Sequence, residues 1–396
     1  MKQLKVNLIK GPAECNDPHI PAFSEEYLEN ISREIGFDVV NCPVEEVAEQ
    51  GLSVYFVGSG GAEMSFQATY QKLKEPYILI AHQYYNSFAA AMEIMGFLQE
   101  HNLRGEIVWG DFKEIAENLK IKMAVAETKK KLSHSRLGCF GAPGGLIASD
   151  VDFETFKRKT GCEIVLYPLD ELVEECKKGG YPENKWTKQL KERGYVNDRA
   201  SDAKKLYVGK RFTEEMDKAL NIYGALKRLI EKYHLDGVTV RCFDLLGLLH
   251  TTGCMALAIL NAEGIPAACE GDQKTLVSMY VLATLTGQSS FMVNPSGLDP
   301  RNNEIIFSHC TLPMDMPDSY ELATHFESGI GIALTSDFKP QEMTIFKTNG
   351  DLSKYYAGKA QLVESMHRND LCRSQMKFRL LEGTDYYLKN PISNHH

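Results

Sequence analysis

Two carboxylates and one amide stand in the sequence where an α/β fold presents reactive side chains. Glu270 and Asp272 follow the apolar, strand-like run IPAAC and precede a helix-like run from Lys274 to Thr286. Carboxylates at the end of a buried strand face the edge of the sheet where ligands bind. A second strand, predicted over 290–293, delivers Asn294 to the same edge one crossover later. Oxygen donors that converge there suit a hard metal ion or a polyol.

Further polar candidates are scattered over the carboxy-terminal part of the chain: His309, His325, Glu327, Arg373, Asn394 and His395. For each of them the simplest interpretation is a hydrogen-bonded structural residue, because buried histidine and asparagine are usually satisfied rather than catalytic. Glu270 is the exception, since a carboxylate in an apolar strand is rarely buried without a partner or a metal.

Two stretches of the amino-terminal part also invite a functional interpretation. The cluster His82 to Tyr85 follows a predicted strand, and its rings and amide suit a sugar, although a capped loop that packs on its own sheet explains it equally well. The segment VGSGGAE (57–63) follows a strand and opens a helix, where backbone amides bind phosphate. It does not complete the dinucleotide fingerprint, so tight-turn glycines are the simpler interpretation.

The hydrophobic periodicity predicts the elements that position these residues. Strand and helix patterns alternate from Leu4 to Trp109 and again from Arg136, which indicates parallel sheets covered by helices on both faces. Beyond Arg301 short strand-like runs lie close together, which favours an antiparallel sheet or barrel. We therefore predict an α/β fold of two doubly wound domains, 1–133 and 134–236, followed by an α+β domain, 237–396.

Composition narrows the class of ligand and the compartment. The 396 residues carry a net charge of −9 without a long block of one sign, so the electrostatic footprint of a nucleic-acid-binding protein is missing. No segment approaches the roughly 18 apolar residues of a membrane span, and no cleavage pattern follows the amino terminus. We expect a cytoplasmic protein that binds a small polar molecule and neither nucleic acid nor membrane.

The ten cysteines are scattered, with no CxxC pair. That spacing gives neither a zinc ribbon nor a disulfide framework, and reduced thiols in a cytosolic enzyme explain it best. Cys269 and Cys310 lie beside candidate site residues, so a catalytic thiol stays open as an alternative.

A set of motifs in fixed order resembles the L-fucose isomerase superfamily, in particular its fucose isomerase-like proteins. The motifs are VRCFD, GIPAACEGD, SFMVNPS, SHCTLP, THFESGIG, CRSQ and the terminal SNHH. The resemblance is strongest from about Gly237 to His396 and weaker over LGCFGAPGGLIASD and the amino-terminal part. It implies two Rossmann-like amino-terminal domains and a carboxy-terminal domain rich in β-structure.

The resemblance also implies a ligand set and a homo-oligomer. Family members hold a divalent ion, Mn²⁺ in the first place with Mg²⁺ as an alternative, by a Glu, an Asp and a His; Glu270 matches the Glu, Asn294 stands where the Asp is expected, and His395 matches the His. Asn394 is expected to contact the sugar. In the family a neighbouring subunit helps to close the site. We expect three more residues to bind substrate: His309, Arg373 and His82.

The function predicted from these residues is a metal-dependent aldose–ketose isomerase that works through a cis-enediolate. Asn294 can ligate a metal but cannot accept a proton, so Glu270 acts alone or with Asp272 as the second carboxylate. Two alternatives are a non-catalytic sugar-binding or regulatory protein and a nicotinamide-linked oxidoreductase. The substrate stays open among deoxyhexoses, pentoses such as arabinose, and anionic hexose derivatives.

Overall fold

The structure is a computed structural model, and it describes residues 3–12, 17, 19–144, 146–198 and 201–390, with the backbone alone for 198 and 201–205. The chain divides into two compact units, Met1–Lys130 and Lys131–His396, which we describe separately. The finer division into three domains stays a prediction.

The first unit is built on one parallel sheet with the strand order β2-β1-β3-β4-β5. Its strands are β1 (Gln3–Ile9), β2 (Asp38–Asn41), β3 (Ser53–Val57), β4 (Tyr77–Ile80) and β5 (Gly105–Val108). Its helices are α1 (His19–Ile35), α2 (Val44–Glu49), α3 (Glu63–Thr69), a short 3₁₀ turn (Tyr70–Lys72), α4 (Ser87–Glu100) and α5 (Phe112–Leu132), whose last two residues belong to the second unit.

Alternation along the buried strands gives this sheet a core on each face. Val54 and Phe56 of β3 belong to one core, together with residues of α1 and α5. Tyr55 and Val57 point the other way, into a core that α3 and α4 complete. Successive side chains of a strand face opposite sides of the sheet, so a strand that is apolar throughout must be covered twice. The predicted doubly wound arrangement is confirmed here.

The second unit contains the remaining elements. Its strands are β6 (Arg136–Phe140), β7 (Glu163–Tyr167), β8 (Tyr195–Asp198), β9 (Ser201–Val208), β10 (Gly237–Val240), β11 (Ala267–Ala268), β12 (Asn294–Asp299), β13 (Glu304–His309), β14 (Ser319–Ala323), β15 (Ala333–Asp337), β16 (Glu342–Thr348), β17 (Tyr355–Met366) and β18 (Ser374–Leu380). Its helices are α6 (Phe153–Thr160), α7 (Leu169–Lys177), α8 (Lys185–Glu192), α9 (Gly209–Tyr233), α10 (Cys242–Leu249), α11 (Cys254–Ala262), α12 (Gln273–Thr286) and α13 (Thr384–Lys389).

Three sheets organise the second unit. A parallel sheet has the order β11-β10-β6-β7, an antiparallel sheet the order β12-β13-β18-β17-β16, and a mixed sheet the order β15-β14-β8-β9. Strands from both sides of residue 236 share the parallel sheet, and one core runs through residues on both sides. The predicted fold class, α/β with an antiparallel sheet in the carboxy-terminal part, is confirmed. No helix of the described residues is long and apolar enough to cross a membrane.

The predicted strand over 290–293 is wrong. These residues form no strand, and Asn294 instead opens β12 at the edge of the antiparallel sheet. Residues 290–293 connect the parallel sheet to the antiparallel sheet. Beside the two-residue strand β11 they form no ladder, and Met292 Sδ accepts a hydrogen bond from the Cys269 amide at 3.3 Å. Asn294 therefore belongs to the antiparallel sheet and not to a parallel strand beside β11.

Candidate functional site

Glu270 lies in a left-handed turn directly after β11. Its φ is +63° and that of Gly271 is +70°. The Gly271 amide donates to Val240 O at 3.0 Å, which ties the turn to the end of β10. A Cβ on Gly271 would stand 2.9 Å from Ala142 O, so only glycine fits there. A non-glycine residue such as Glu270 rarely adopts this backbone conformation, and such residues concentrate at functional sites.

The antiparallel sheet brings a histidine to this carboxylate. His309 ends β13, is 3% exposed, and holds its Nε2 3.4 Å from Glu270 Oε1. Its Nδ1 lies 2.9 Å from the hydroxyl of Thr311. An ionised carboxylate only accepts hydrogen bonds, so the tautomer that satisfies both contacts carries its proton on Nε2 and accepts from Thr311 at Nδ1. Glu270 and His309, both predicted as site residues, are thus brought together.

Asn294 lies one register position from that pair. It pairs with Ser308, the residue before His309, and Met292 contacts the Cys269 amide beside Glu270. Within the described part of the chain, the buried side-chain oxygen Oδ1 of Asn294 has no hydrogen-bond partner. Leaving a buried amide oxygen unsatisfied costs free energy, so such an atom points to a missing donor or cation.

Asp272 caps helix α12. Its Oδ1 accepts from the Thr275 amide and its Oδ2 from the Thr275 hydroxyl, each at 2.8 Å. The side chain is fully buried, and Lys347 Nζ lies 3.9 Å from Oδ2. This geometry accounts for the carboxylate as an N-cap with a buried cation beside it. A catalytic role for Asp272 stays a prediction.

Arg373 is buried next to the strand that pairs with β13. It precedes Ser374, the partner of His309 in the ladder, and is 3% exposed. Its Nε donates to Thr324 O at 3.0 Å, which orients the planar guanidinium. His325, which follows, is buried with its Nδ1 3.0 Å from Ser328 Oγ, so it serves the turn after β14. Glu327 lies on the surface of that turn.

Buried thiols pack beside the same strands. Cys254 and Cys310 share a small apolar cluster with Ala333, against which Cys372 packs. Hydrogen bonds from the thiols of Cys254 and Cys372 lower the pKa of Cys310. All cysteines of the described residues are free. A catalytic thiol stays an alternative. In the described part of the chain, no basic side chain lies in hydrogen-bonding geometry to a cysteine thiol.

Lys347 is the residue that sequence reasoning missed. It is 5% exposed and donates from Nζ to Thr275 Oγ1 at 2.6 Å, beside the N-cap of α12. Burial lowers the pKa of Lys347 to about 8, while the Asp272 carboxylate acts in the opposite direction. The signal was present in the alternation of EMTIFKT, where Met343, Ile345 and Lys347 occupy one face of the strand.

His82 belongs to the first unit, at the carboxyl end of β4. Its ring lies 5.1 Å from the rings of Phe23 and Tyr27 and 5.5 Å from that of Phe56. Nδ1 accepts from the Tyr84 amide at 3.3 Å, and burial lowers the pKa of His82 to about 4. The ring is 2% exposed, so the structure describes a neutral core histidine. Its predicted contact with substrate stays a prediction.

The glycines of VGSGGAE serve close packing of two loops in the same unit. A Cβ on Gly11 would lie 2.0 Å from Gly60 O, and one on Gly61 would lie 2.6 Å from Pro12 Cδ. Gly61 also has a φ of +86°. The helix that follows, α3, is only seven residues long. These contacts support the tight-turn interpretation over a phosphate cradle.

The second unit also holds a cavity of about 1020 Å³, away from Glu270. Asp236, Gly264 and Pro266 line it, and they lie at or before the starts of β10 and β11. Glu270, Asn294 and His309 are not among its lining residues. In parallel sheets ligands bind at the opposite, carboxyl edge of the strands. We therefore place the candidate site at the Glu270 turn and not in this cavity.

Asn394 and His395, the expected sugar contact and metal ligand, lie outside the described residues. Within the described ranges no three His, Cys, Asp or Glu side chains gather closely enough to hold a metal ion. The ligand set Glu270, Asn294 and His395 therefore stays a prediction.

Comparison with known proteins points to one kind of enzyme. The chain is similar to sulfoquinovose isomerases. The protein of that name from Priestia megaterium (strain ATCC 12872 / QMB1551) is 26% identical over 274 residues, 67% of this chain and 59% of the relative. The one from Alkalicoccus urumqiensis is 22% identical over 249 residues, 60% and 53% of the two chains. The one from Clostridium sp. (strain MSTE9) is 33% identical over 95 residues, 24% and 21%.

The extent of these matches limits what they carry. The chain spans about 59% of the length of the Priestia relatives it matches. No protein-family model matches it. The similarity agrees with the predicted sugar isomerase, and the L-fucose isomerase-like superfamily remains an expectation from the motifs.

Proposed function

We propose that this chain is an aldose–ketose isomerase acting on an open-chain sugar, with a sulfonated sugar such as sulfoquinovose as the substrate class. The observation that carries the proposal is the Glu270 carboxylate in its left-handed turn, with His309 Nε2 at 3.4 Å. Similarity to proteins named sulfoquinovose isomerase supports it. The activity, its substrate and its metal are all part of this proposal.

Glu270 moves the proton in the proposed reaction. Its carboxylate removes the proton from the carbon next to the aldehyde, which leaves a cis-enediolate, and returns that proton to the former aldehyde carbon. The hydroxyl proton on the second carbon passes to the former aldehyde oxygen, so that the second carbon becomes the carbonyl of the ketose. The His309 Nε2–H donates to Oε1 and fixes the direction in which the other oxygen, Oε2, faces the sugar. The Asn294 amide accepts no proton, so Glu270 works without a second carboxylate from that position.

A divalent ion of the Mn²⁺ or Mg²⁺ kind fits the donors that the structure describes. Glu270 and the buried Asn294 Oδ1, which has no hydrogen-bond partner in the described ranges, are hard oxygen donors. His395 would complete the set. When bound, the ion supplies polarisation of the sugar carbonyl and stabilisation of the enediolate charge.

Arg373 supports the choice of an anionic sugar. Its guanidinium is buried one residue from the ladder partner of His309, and the bond to Thr324 O fixes its plane. A planar guanidinium presents several N–H donors that match the oxygens of a sulfonate or carboxylate. We propose that Arg373 binds the sulfo group of the substrate.

The decisive experiment follows isomerisation by proton NMR in D₂O. Metal-stripped protein is incubated with and without Mn²⁺ on sulfoquinovose and on a panel of neutral aldoses. We expect metal-dependent formation of the ketose of sulfoquinovose, with deuterium at the carbon that exchanges. No turnover on any sugar, with Mn²⁺ binding confirmed by calorimetry, would contradict the proposal.

A non-catalytic sugar-binding protein is the second candidate, and one observation favours it. Asn294 stands where the resemblance expects a catalytic carboxylate, and an amide cannot act as a base. In that case sulfoquinovose should bind without turnover, and Asn294→Asp should create activity. The isomerase proposal expects the wild-type chain to turn over sugar already.

Assembly into a homo-oligomer remains a prediction of the resemblance. Light scattering on the eluate of a sizing column measures the mass of the particle directly. A mass of one chain, about 44.5 kDa, would contradict it.

A further inference from the structure

A buried lysine stands under the turn that carries Glu270. Lys347 lies on β16, an edge strand of the antiparallel sheet, and its side chain is 6% exposed. Removing an ammonium from water costs several kcal/mol unless close partners compensate it. The structure gives Lys347 two such partners, the Thr275 hydroxyl at 2.6 Å and Asp272 Oδ2 at 3.9 Å.

The three side chains form a directed hydrogen-bond chain. Lys347 Nζ has only donors, so it donates to Thr275 Oγ1. The single proton of the Thr275 hydroxyl is then donated to Asp272 Oδ2 at 2.8 Å. The Thr275 amide donates to Oδ1, also at 2.8 Å, so both carboxylate oxygens are held. Because a hydroxyl that accepts from a cation is a better donor, each bond strengthens the next.

The hydrogen-bond chain from Lys347 ends at the turn that carries Glu270. The Asp272 amide donates to Cys269 O at 3.0 Å and closes the turn around Glu270 and Gly271. Glu270 is held at a φ of +63°, a conformation that is strained for a non-glycine residue. Such a conformation persists only when its surroundings determine it. Asp272 is both the cap of α12 and the end of the turn, so fixing its carboxylate fixes both.

We propose that Lys347 is a positioning residue, which holds the Glu270 turn in place through Thr275 and Asp272. The effect on catalysis rests on the function proposed above, whereas the effect on the turn does not. A lysine that merely stabilised the sheet would act equally on all of its strands. The two roles therefore differ in where the structure loosens when the ammonium is removed.

The test compares Lys347→Met with Lys359→Met, a lysine of β17 in the same sheet whose side chain is 66% exposed. Hydrogen–deuterium exchange is followed in peptides that cover 269–275 and in peptides of β17 and β18. We expect Lys347→Met to speed exchange over 269–275 by about 10-fold or more while β17 and β18 change by less than about 2-fold. Unchanged exchange over 269–275, or equal acceleration throughout the sheet, would overturn the proposal.

A second pair of variants covers the case in which Lys347→Met does not fold. Thr275→Val removes the hydroxyl at nearly constant volume, and Thr275→Ser keeps it. We expect Thr275→Val to reproduce the faster exchange and Thr275→Ser to restore the wild-type rate; equal exchange in the two would contradict the relay.

Activity is read separately. On sulfoquinovose, Lys347→Met should lower kcat by about 10- to 100-fold with KM within about 2-fold, because a displaced base slows the chemical step more than binding. If the wild-type chain turns over no sugar, the proposed function fails, and the exchange data still decide the positioning role.

Discussion

The two units each place a buried histidine at or near the carboxyl edge of a parallel sheet, yet the two imidazoles meet different surroundings. His82 follows β4 and is enclosed by the rings of Phe23, Tyr27 and Phe56. His309 comes from the antiparallel sheet and faces the Glu270 carboxylate at 3.4 Å. Both are almost fully buried, at 2% and 3% exposure.

The comparison shows that a buried histidine at the carboxyl edge of a parallel sheet is not by itself a candidate catalytic site. The apolar cage lowers the pKa of His82 to about 4 and keeps the imidazole neutral. In the second unit an additional sheet brings a donor to a carboxylate held in a strained turn. The candidate site lies where the parallel sheet and the antiparallel sheet of that unit meet.

The largest effect should come from Glu270→Gln. The amide keeps the shape of the side chain but cannot take a proton, so we expect kcat on sulfoquinovose to fall by about 1000-fold or more. The matched control is Glu304→Gln, at the other end of the strand that carries His309, where the carboxylate pairs with Arg379 at 3.3 Å. The control should retain activity within about 2-fold. Equal activity of Glu270→Gln and wild type would contradict the proposal that Glu270 of the second unit moves the proton.

Arg373→Met should have the next largest effect and should act on specificity. Hydrogen bonds to charged groups contribute about 1.5–3 kcal/mol, so kcat/KM for the sulfonated sugar should drop by about 10- to 100-fold. A neutral aldose that the enzyme accepts should lose less than about 3-fold. Arg379→Met, in strand β18 directly after Arg373 but with a side chain that is 56% exposed, is the control. A similar loss of kcat/KM on both sugars would mean that Arg373 stabilises the fold and does not bind the sulfo group.

His309→Phe tests whether the imidazole orients the base. Without the Nε2–H donor at Oε1, Glu270 is less well directed, and kcat should fall by about 10-fold. Thr311→Val removes only the group that fixes the tautomer, at 2.9 Å from Nδ1, and should lower kcat by about 3-fold. A larger loss of kcat in Thr311→Val than in His309→Phe would contradict the proposal that Thr311 acts on Glu270 only through His309.

Periodicity predicted much of the sheet architecture because strands buried on both faces read as continuous apolar runs. β3 (SVYFV) and β4 (YILI) are examples, and both lie within the stretch from Leu4 to Trp109 where strand and helix patterns alternate. The hairpin β8–β9 was missed, since its polar, lysine-rich sequence carries no alternating pattern. Its pairing is set by tertiary contact with β14 and not by local preference.

The site was predictable in part for the same reason. Glu270 followed from its place after IPAAC, but the link of His309 to it crosses 39 residues and depends on the antiparallel ladder. Lys347 and Thr275 are 72 residues apart, and nothing in either segment announces the other. Local patterns place residues on elements, whereas contacts between distant elements decide which of them meet.

The smallest effect should appear at the other histidine, as a pH dependence of stability in the first unit. The pKa of His82 lies near 4 in the folded chain and near 6.5 when unfolded, so the unfolded chain binds more protons between these values. Stability of this unit should therefore fall as the pH drops from about 6.5 towards 4. His82→Phe should remove that part of the loss, although it leaves the Tyr84 amide without its acceptor and lowers the starting value.

The chain has two tryptophans, which allows this to be measured on one unit. In a Trp186→Phe background only Trp109 reports, and it lies in the first unit. The difference in Tm between pH 7.5 and pH 4.5 should be smaller for His82→Phe than for its parent by a few degrees, whereas His101→Phe, an exposed histidine of the same unit, should match the parent. An identical pH dependence in all three would mean that the aromatic cage does not hold His82 neutral. The contrast between the two histidines would then rest on the Glu270 contact alone.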